Sequence, residues 1–340
     1  MSHCAAQTRA AARQEWIHGL LSLALIFGLS LATPVIARAQ APLRFGVLVL
    51  EMGRGQSQAI KGFGEELNRL GYRERKDFFL EVRNVKGNRA ALQGAARELV
   101  AQKVPLIFTT GTSATLAAMA ATADIPVVFV HSGDPVATGL MKSTEERAKN
   151  LAGVAAYAAQ TTERRLALLK AILPALQKIW VFFDANSAVS RKNFQWVENA
   201  AEKTGVQVVA FRIKSTDELK TTLASLRSDA GAAIFQSPDE LVESEAGFLF
   251  ETARAKKIPT MFNEESWAIS GAMAAYGPNY LAMGRQAGRL SDKIHKGETP
   301  RSLPIERATK FDLTLNYRTA SFIGVPLSKE MLKKAGKVIR

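Results

Sequence analysis

The sequence predicts an α/β protein of two doubly wound lobes, and three observations carry that prediction. Short apolar runs alternate with amphipathic stretches of helical period along most of the chain. The alternation falls into two successive arrays of about 110 to 120 residues, each the size of one βα lobe. Between 104 and 139 the order is explicit. Two apolar runs, 104–108 and 125–130, each end in a small polar loop containing glycine, and 114–123 between them reads as one helix. Strand, loop, helix, strand, loop sets both loops at the carboxyl edge of a parallel sheet, where α/β proteins hold small ligands.

The remaining elements follow the same logic. Residues 43–50 read as a buried strand and 57–70 as an amphipathic helix closed by Gly71. A strand is expected over 78–84 and a helix over 89–102. After the polar segment 144–150 the alternation resumes with a helix over 161–173, capped by Thr161 or Thr162 and followed by Pro174. Strands at 178–183, 206–213, 232–235, 259–262 and 272–276 then alternate with helices at 189–204, 216–226 and 240–256. Gly205 stops the first of these helices and Ser215 caps the second. The tail breaks the alternation: a helix over 279–296 ended by Gly297, then Pro300 and Pro304, an extended run over 309–315, and a closing polar helix. A chain passing back between two lobes accounts for such a tail.

Composition sets the cellular frame. Arg9 and Arg13 precede an uncharged apolar run over 20–32, and Ala37-Arg38-Ala39 supplies a small-residue cleavage pattern. Residues 1–39 therefore read as a secretory signal peptide, with an apolar core of about thirteen residues that is short for a membrane span. The one cysteine, Cys4, falls inside this leader, so disulfides, thiolate metal sites and a cysteine nucleophile are excluded from the mature chain. No later apolar run approaches the length of a spanning helix, which predicts a soluble mature protein. The net charge is +14, of which three arginines and one glutamate lie in the leader. The basic residues are interleaved with acidic ones and form no stripe with aromatics, which argues against nucleic acid as a partner. No paired metal ligands and no nucleophile elbow occur, so neither a metal nor a cofactor nor catalysis is expected.

The tail carries a resemblance. Gly271-Ala-Met-Ala-Ala-Tyr276-Gly-Pro-Asn279, Lys296-Gly-Glu-Thr-Pro300, Leu303-Pro-Ile-Glu306 and Thr309-Lys-Phe-Asp-Leu-Thr-Leu-Asn316 follow in order, with Thr319-Ala320 and Ile323-Gly-Val-Pro326 beyond. Ile125-Pro-Val-Val-Phe129, Asp134-Pro-Val136 and the stretch from Leu166 to Pro174 extend the match. Together they resemble the ABC-transporter substrate-binding proteins of the tryptophan and aromatic amino-acid type, over residues 43–340. The resemblance implies a type I periplasmic binding protein, with two Rossmann-like lobes joined by a three-crossover hinge. It implies an N-terminal lobe of 43–152 plus about 277–305, and a C-terminal lobe of 153–276 plus about 306–340. The chain departs from the family where an arginine-proline-glycine-glycine-asparagine turn is usual, since Glu145-Glu-Arg-Ala-Lys-Asn150 stands there.

Candidate binding residues sit on the carboxyl-edge loops. Thr110, Gly111, Thr112 and Ser113 open a helix whose free N–H groups and hydroxyls suit a carboxylate, with plain capping as the alternative. Ser132 and Asp134 form the second loop. Asp134 is expected to pair with a ligand ammonium, or else to fold back on its own Asp-Pro turn. In the second lobe Asn186, Ser237 and Asp239 could reach the ligand's far end, or cap helices. Gly55 and Gln56 in the loop after the first strand would also line the cleft. Among aromatics near loop ends, Trp267 is the favoured stacking partner, ahead of Tyr157, Phe183 and Tyr276. The expected protein is a monomeric, periplasmic solute-binding component of an ABC importer. It would close on an amino acid, aromatic by resemblance, and deliver it to an inner-membrane permease. A ligand sensor for a signalling receptor, and an exported α/β enzyme, are the alternative readings.

Overall fold

A computed structural model describes residues 41–131, 133–143 and 146–340. The expected leader and Ser132 lie outside them. The chain begins with β1 (Leu43–Val49), α1 (Arg54–Arg69), β2 (Phe78–Asn84), α2 (Leu92–Ala101), β3 (Ile107–Thr110), α3 (Thr112–Ala121), β4 (Val127–His131) and β5 (Leu151–Ala155). A second array follows: α4 (Ala158–Ile172), β6 (Lys178–Asp184), α5 (Ala188–Thr204), β7 (Gln207–Ile213), α6 (Thr216–Ser225), β8 (Ala232–Phe235), α7 (Glu240–Ser244), α8 (Ala246–Ala255), β9 (Thr260–Phe262), α9 (Glu265–Ser270) and β10 (Ala274–Pro278). The tail supplies α10 (Tyr280–His295), β11 (Ile305–Arg307), β12 (Phe311–Asn316), α11 (Tyr317–Ile323), α12 (Lys329–Lys334) and β13 (Lys337–Ile339).

These strands make two sheets, ordered β11-β5-β4-β3-β1-β2 and β13-β12-β10-β9-β8-β6-β7. The first is parallel throughout, and the second has a single antiparallel pairing, β10 with β12. Parallel sheets need cover on both faces, and each sheet has an apolar cluster on either side. The chain crosses between sheets after β5, after β10 and after β11, which makes three crossovers.

The crossovers run side by side. Ala308 N–H donates to Ala155 O at 2.8 Å, and Asn279 N–H donates to Lys310 O at 2.9 Å. Tyr157, in the left-handed region at φ 54°, lies under the Arg307 guanidinium at 4.6 Å from its ring centre. Tyr276 and Phe311 stack across the other two strands, with ring centres 6.0 Å apart. The returning helix α10 then seats on α1 almost backbone to backbone. A Cβ on Gly62 would fall 2.1 Å from Leu281 O, and one on Gly284 would fall 2.0 Å from Ala59 O. Both positions therefore require glycine, which anchors the tail in the first lobe.

Several expectations change in detail. The anticipated lobe breaks at 152/153 and 305/306 fall inside β5 and β11, so both strands stay whole in the first sheet. The single helix expected over 240–256 is two, broken at Glu245. Strands β5, β11 and β13 and helices α9 and α11 had no counterpart in the sequence pattern. In the segment that departs from the family turn, Arg147 donates to the carbonyls of Arg301 and Leu303. The buried Asn150 amide donates to Thr122 O and Ile125 O, at 3.1 and 2.9 Å. These side chains tie the segment to the stretch before β11 and to the loop between α3 and β4.

Candidate functional site

The carboxyl ends of β3 and β4 in the first sheet and of β6, β8 and β9 in the second bound two adjoining cavities of about 520 and 560 Å³. Arg89, Thr112, Ser113, His131, Glu243 and Glu264 line both, so the two form one cleft with a wall from each lobe.

The first wall is the start of α3. Gly111 stands at its N-cap with φ 83°, and no side chain caps the helix. The nearby hydroxyls are turned to other uses. Thr115 Oγ1 donates to Gly111 O at 2.7 Å and lies 2.9 Å from Thr109 Oγ1, while Ser113 Oγ accepts from Arg89 at 3.2 Å. Thr110 is buried, and its Oγ1 has no hydrogen-bond partner. An uncapped helix start lining a cavity suits an anion, because its first-turn N–H groups have no intrahelical acceptor.

The second wall is acidic and braced. Asp239 Oδ1 caps α7 by accepting from Val242 N–H at 3.0 Å, and Oδ2 accepts from Asp184 N–H at 2.7 Å. Ser187 caps α5 by accepting from Ser190 N–H, and the Asn193 amide donates to Pro238 O. Behind them Arg165 is 1% exposed. Its guanidinium donates to Gln236 O at 2.5 Å and lies 4.5 Å from the centre of the Phe235 ring, while its Nε has no partner. Burial lowers the Arg165 pKa to about 9, against the pull of Glu243. Glu243 accepts from the Gln236 amide at 2.7 Å, and burial together with the nearby Glu264 pushes its pKa up to about 8. Glu264 accepts from the Tyr280 hydroxyl at 2.7 Å. Burial pushes His131 down to about 4, so it is neutral at physiological pH, with Thr138 Oγ1 at 3.2 Å from its Nε2.

Most of the sequence-predicted residues meet at this cleft. Thr110, Gly111 and Gln56 line the inner cavity, Thr112 and Ser113 line both, and Asp134 and Asp239 line the outer one. Asp134 also serves its own turn, since Oδ1 accepts from Val136 N–H at 2.8 Å and Ala137 N–H at 3.3 Å. Four residues lie elsewhere. Gly55 borders a separate small recess beside Asn279. Asn186 is exposed at the end of β6, in a turn where its N–H donates to Asp184 Oδ1. Ser237 is fully buried outside the cavity lining. Trp267 packs into the lobe interior against Phe250 and Phe262, at 6.2 and 6.0 Å between ring centres. Partly buried there, its ring lines neither cavity, because α9 turns what looked like a polar loop into a helix packed on the core.

Sequence reasoning missed Arg89, Arg165, Glu243, Asn263 and Glu264. Arg165 did leave a signal. It falls on the buried stripe of α4 with Thr162, Leu166 and Leu169, a position where an arginine is out of place unless it has a buried task.

Two doubly wound lobes, three crossovers and a cleft between carboxyl edges define a type I periplasmic binding protein. The chain belongs to the ABC transporter substrate binding protein family, whose sequence model matches residues 45–339. It is 28% identical over 262 residues to the tyrosine-binding protein of Clostridioides difficile (strain R20291), covering 77% of this chain and 75% of that protein. Among solved structures, an ABC domain from Streptococcus pneumonia in complex with L-Trp superposes with a TM-score of 0.74 at 23% identity. That match covers 88% of this chain and 100% of the other. The ligand-free, open structure of a substrate binding protein with adhesive properties from Clostridium difficile gives 0.73 at 24% identity, covering 87% and 99%. These two likenesses establish the fold. Family membership makes the chain a binding protein rather than an enzyme.

Proposed function

We propose that the protein is the periplasmic solute-binding component of an importer, capturing an amino acid by closing its two lobes and presenting it to a membrane permease. The observation that carries this reading is the shared cavity: an uncapped helix start from one lobe faces carboxylates from the other. A zwitterion satisfies both at once. Thr112 and Ser113 would hold the carboxylate through the start of α3, and the acidic wall would take the ammonium. Leu116, Val189 and Leu241 on the outer cavity offer an apolar bed for the side chain. Relatives described as binding tyrosine and L-Trp support an aromatic amino acid. The rings of Trp267, Tyr157, Phe183 and Tyr276 do not line the cleft, so such a side chain would pack against these aliphatic groups in the outer cavity, or against Tyr280 in the inner one. The leader expected over 1–39 supports export. Because a ligand bridging both walls binds the closed state best, it would shift the population toward closure.

A thermal-shift screen with the twenty amino acids and a panel of sugars tests the reading. At a hundred times its dissociation constant a ligand adds about 2.7 kcal/mol, which raises the melting temperature by several degrees. L-tyrosine or L-tryptophan is expected to give such a shift. A shift from sugars with none from any amino acid overturns it.

A further inference from the structure

Among the described residues lining the two cavities, seven are carboxylates and two are arginines, in a chain whose net charge is +14. The field of the cleft therefore opposes that of the whole molecule and favours a cation. Most of these carboxylates are already engaged. Asp239 uses both oxygens on backbone N–H groups, and Asp134 and Asp184 each use one on their own turns. Glu240 pairs with Arg89 at 2.7 Å with its side chain 80% exposed. Glu264 takes the Tyr280 hydroxyl. Glu243 lines both cavities, as Glu240 and Glu264 do, and the Gln236 amide holds one of its oxygens and so fixes the carboxyl in place.

Two further groups at the cleft call for a ligand. Thr110 is 5% exposed, lines the inner cavity with Glu243, and leaves Oγ1 without a partner. The buried Arg165, which lines the outer cavity with Glu243, leaves Nε without one. Buried polar atoms seldom remain unsatisfied, so unpartnered atoms on two side chains that border the cavities mark where the bonding is incomplete.

We infer that Glu243 accepts the ligand's ammonium group and gives up a proton to solvent as the ligand binds, so that capture tightens as pH rises. This rests on the amino-acid reading above. Glu243 is in the acid form at neutral pH, because burial, Glu264 and Asp239 all disfavour its charge more than Gln236 and the Asp239 N–H favour it. An arriving ammonium reverses the balance: the carboxyl O–H bond breaks, the proton leaves to water, and the carboxylate accepts an N–H from the ligand. Arg165 remains a cation below pH 9, and His131 is neutral above pH 4. Neither changes charge between pH 6 and 8.

Calorimetric titration of L-tyrosine and L-tryptophan at pH 6, 7 and 8, in buffers of different ionisation heat, tests this. Native protein is expected to bind about tenfold tighter at pH 7 than at pH 6, and to release close to one proton per ligand at pH 7. Glu243→Gln should bind like native protein at pH 6, lose the pH dependence, and bind at least about thirtyfold more weakly at pH 8. Affinity that is independent of pH, with no proton released by native protein, overturns the inference even if the variant fails to fold. So does a dependence that survives in Glu243→Gln, or one that vanishes in Glu264→Gln instead. Absence of binding by both amino acids at every pH overturns the amino-acid reading and this inference together, a result distinct from pH-independent binding.

Discussion

The two walls of the cleft begin their helices in opposite ways. In the first lobe α3 starts at Gly111 with no side-chain cap, and its first-turn donors lie beside the cavity. In the second, α5 and α7 are capped by Ser187 and Asp239, whose oxygens accept the donors that a ligand would otherwise use. One wall leaves its helix start uncapped. The other closes its own and offers carboxylates instead. The contrast teaches that similar hydroxyl- and acid-rich loops at equivalent sheet edges can serve opposite ends of one ligand.

The largest effect should come from filling the bare helix start with its own charge. Ser113→Asp sets a carboxylate where the ligand's is expected, and repulsion at this range is worth a few kcal/mol at the dielectric of a protein surface. Affinity for L-tryptophan should fall at least about a hundredfold. Fold stability should hold or rise by a few tenths of a kcal/mol, since a first-turn acid favours the helix. Calorimetry and thermal melting read the two effects separately.

The mirror experiment opens a closed start. Asp239→Ala removes the cap of α7 and leaves the Asp184 N–H unpaired, so stability should fall by about 2–3 kcal/mol. Asp239→Asn should recover much of that. Chemical denaturation measures both, and a silent Asp239→Ala would mean the second wall is not braced as described. The smallest effect belongs to the bridge between the walls. The Arg89–Glu240 pair has side chains 55% and 80% exposed, so Arg89→Ala should change stability by less than about 1 kcal/mol. That change should vanish in molar salt.

Much of the fold was legible because the signals are local. Val47, Phe108 and Val128 sit in unbroken apolar runs between turn residues, and parallel strands buried on both faces read that way. β5 was not legible, because Leu-Ala-Gly-Val-Ala is too short and too small to announce a strand. It earns its place by lying between β4 and β11, a segment about 150 residues later in the chain. The first wall was read for the same local reason: Thr110 to Ser113 is a contiguous loop and helix start. The second wall depends on tertiary burial. Little near Glu243 in sequence signals its raised pKa, which comes chiefly from burial and from Glu264 on a different strand end, with Asp239 adding less. Trp267 was misplaced in the opposite sense, since the six-residue helix that turns it against Phe250 and Phe262 ends at Gly271, a stop the surrounding acidic loop obscured.

The division of labour between the walls can be tested by removing one end of the ligand. L-tryptophan and tryptamine share a ring and an amine, but only the first has a carboxylate. Both should be titrated against native protein and Ser113→Asp. The account predicts that the substitution weakens L-tryptophan at least about a hundredfold while leaving tryptamine within about threefold. Equal losses for both ligands would contradict it, because the start of α3 would then not be where the carboxylate is held.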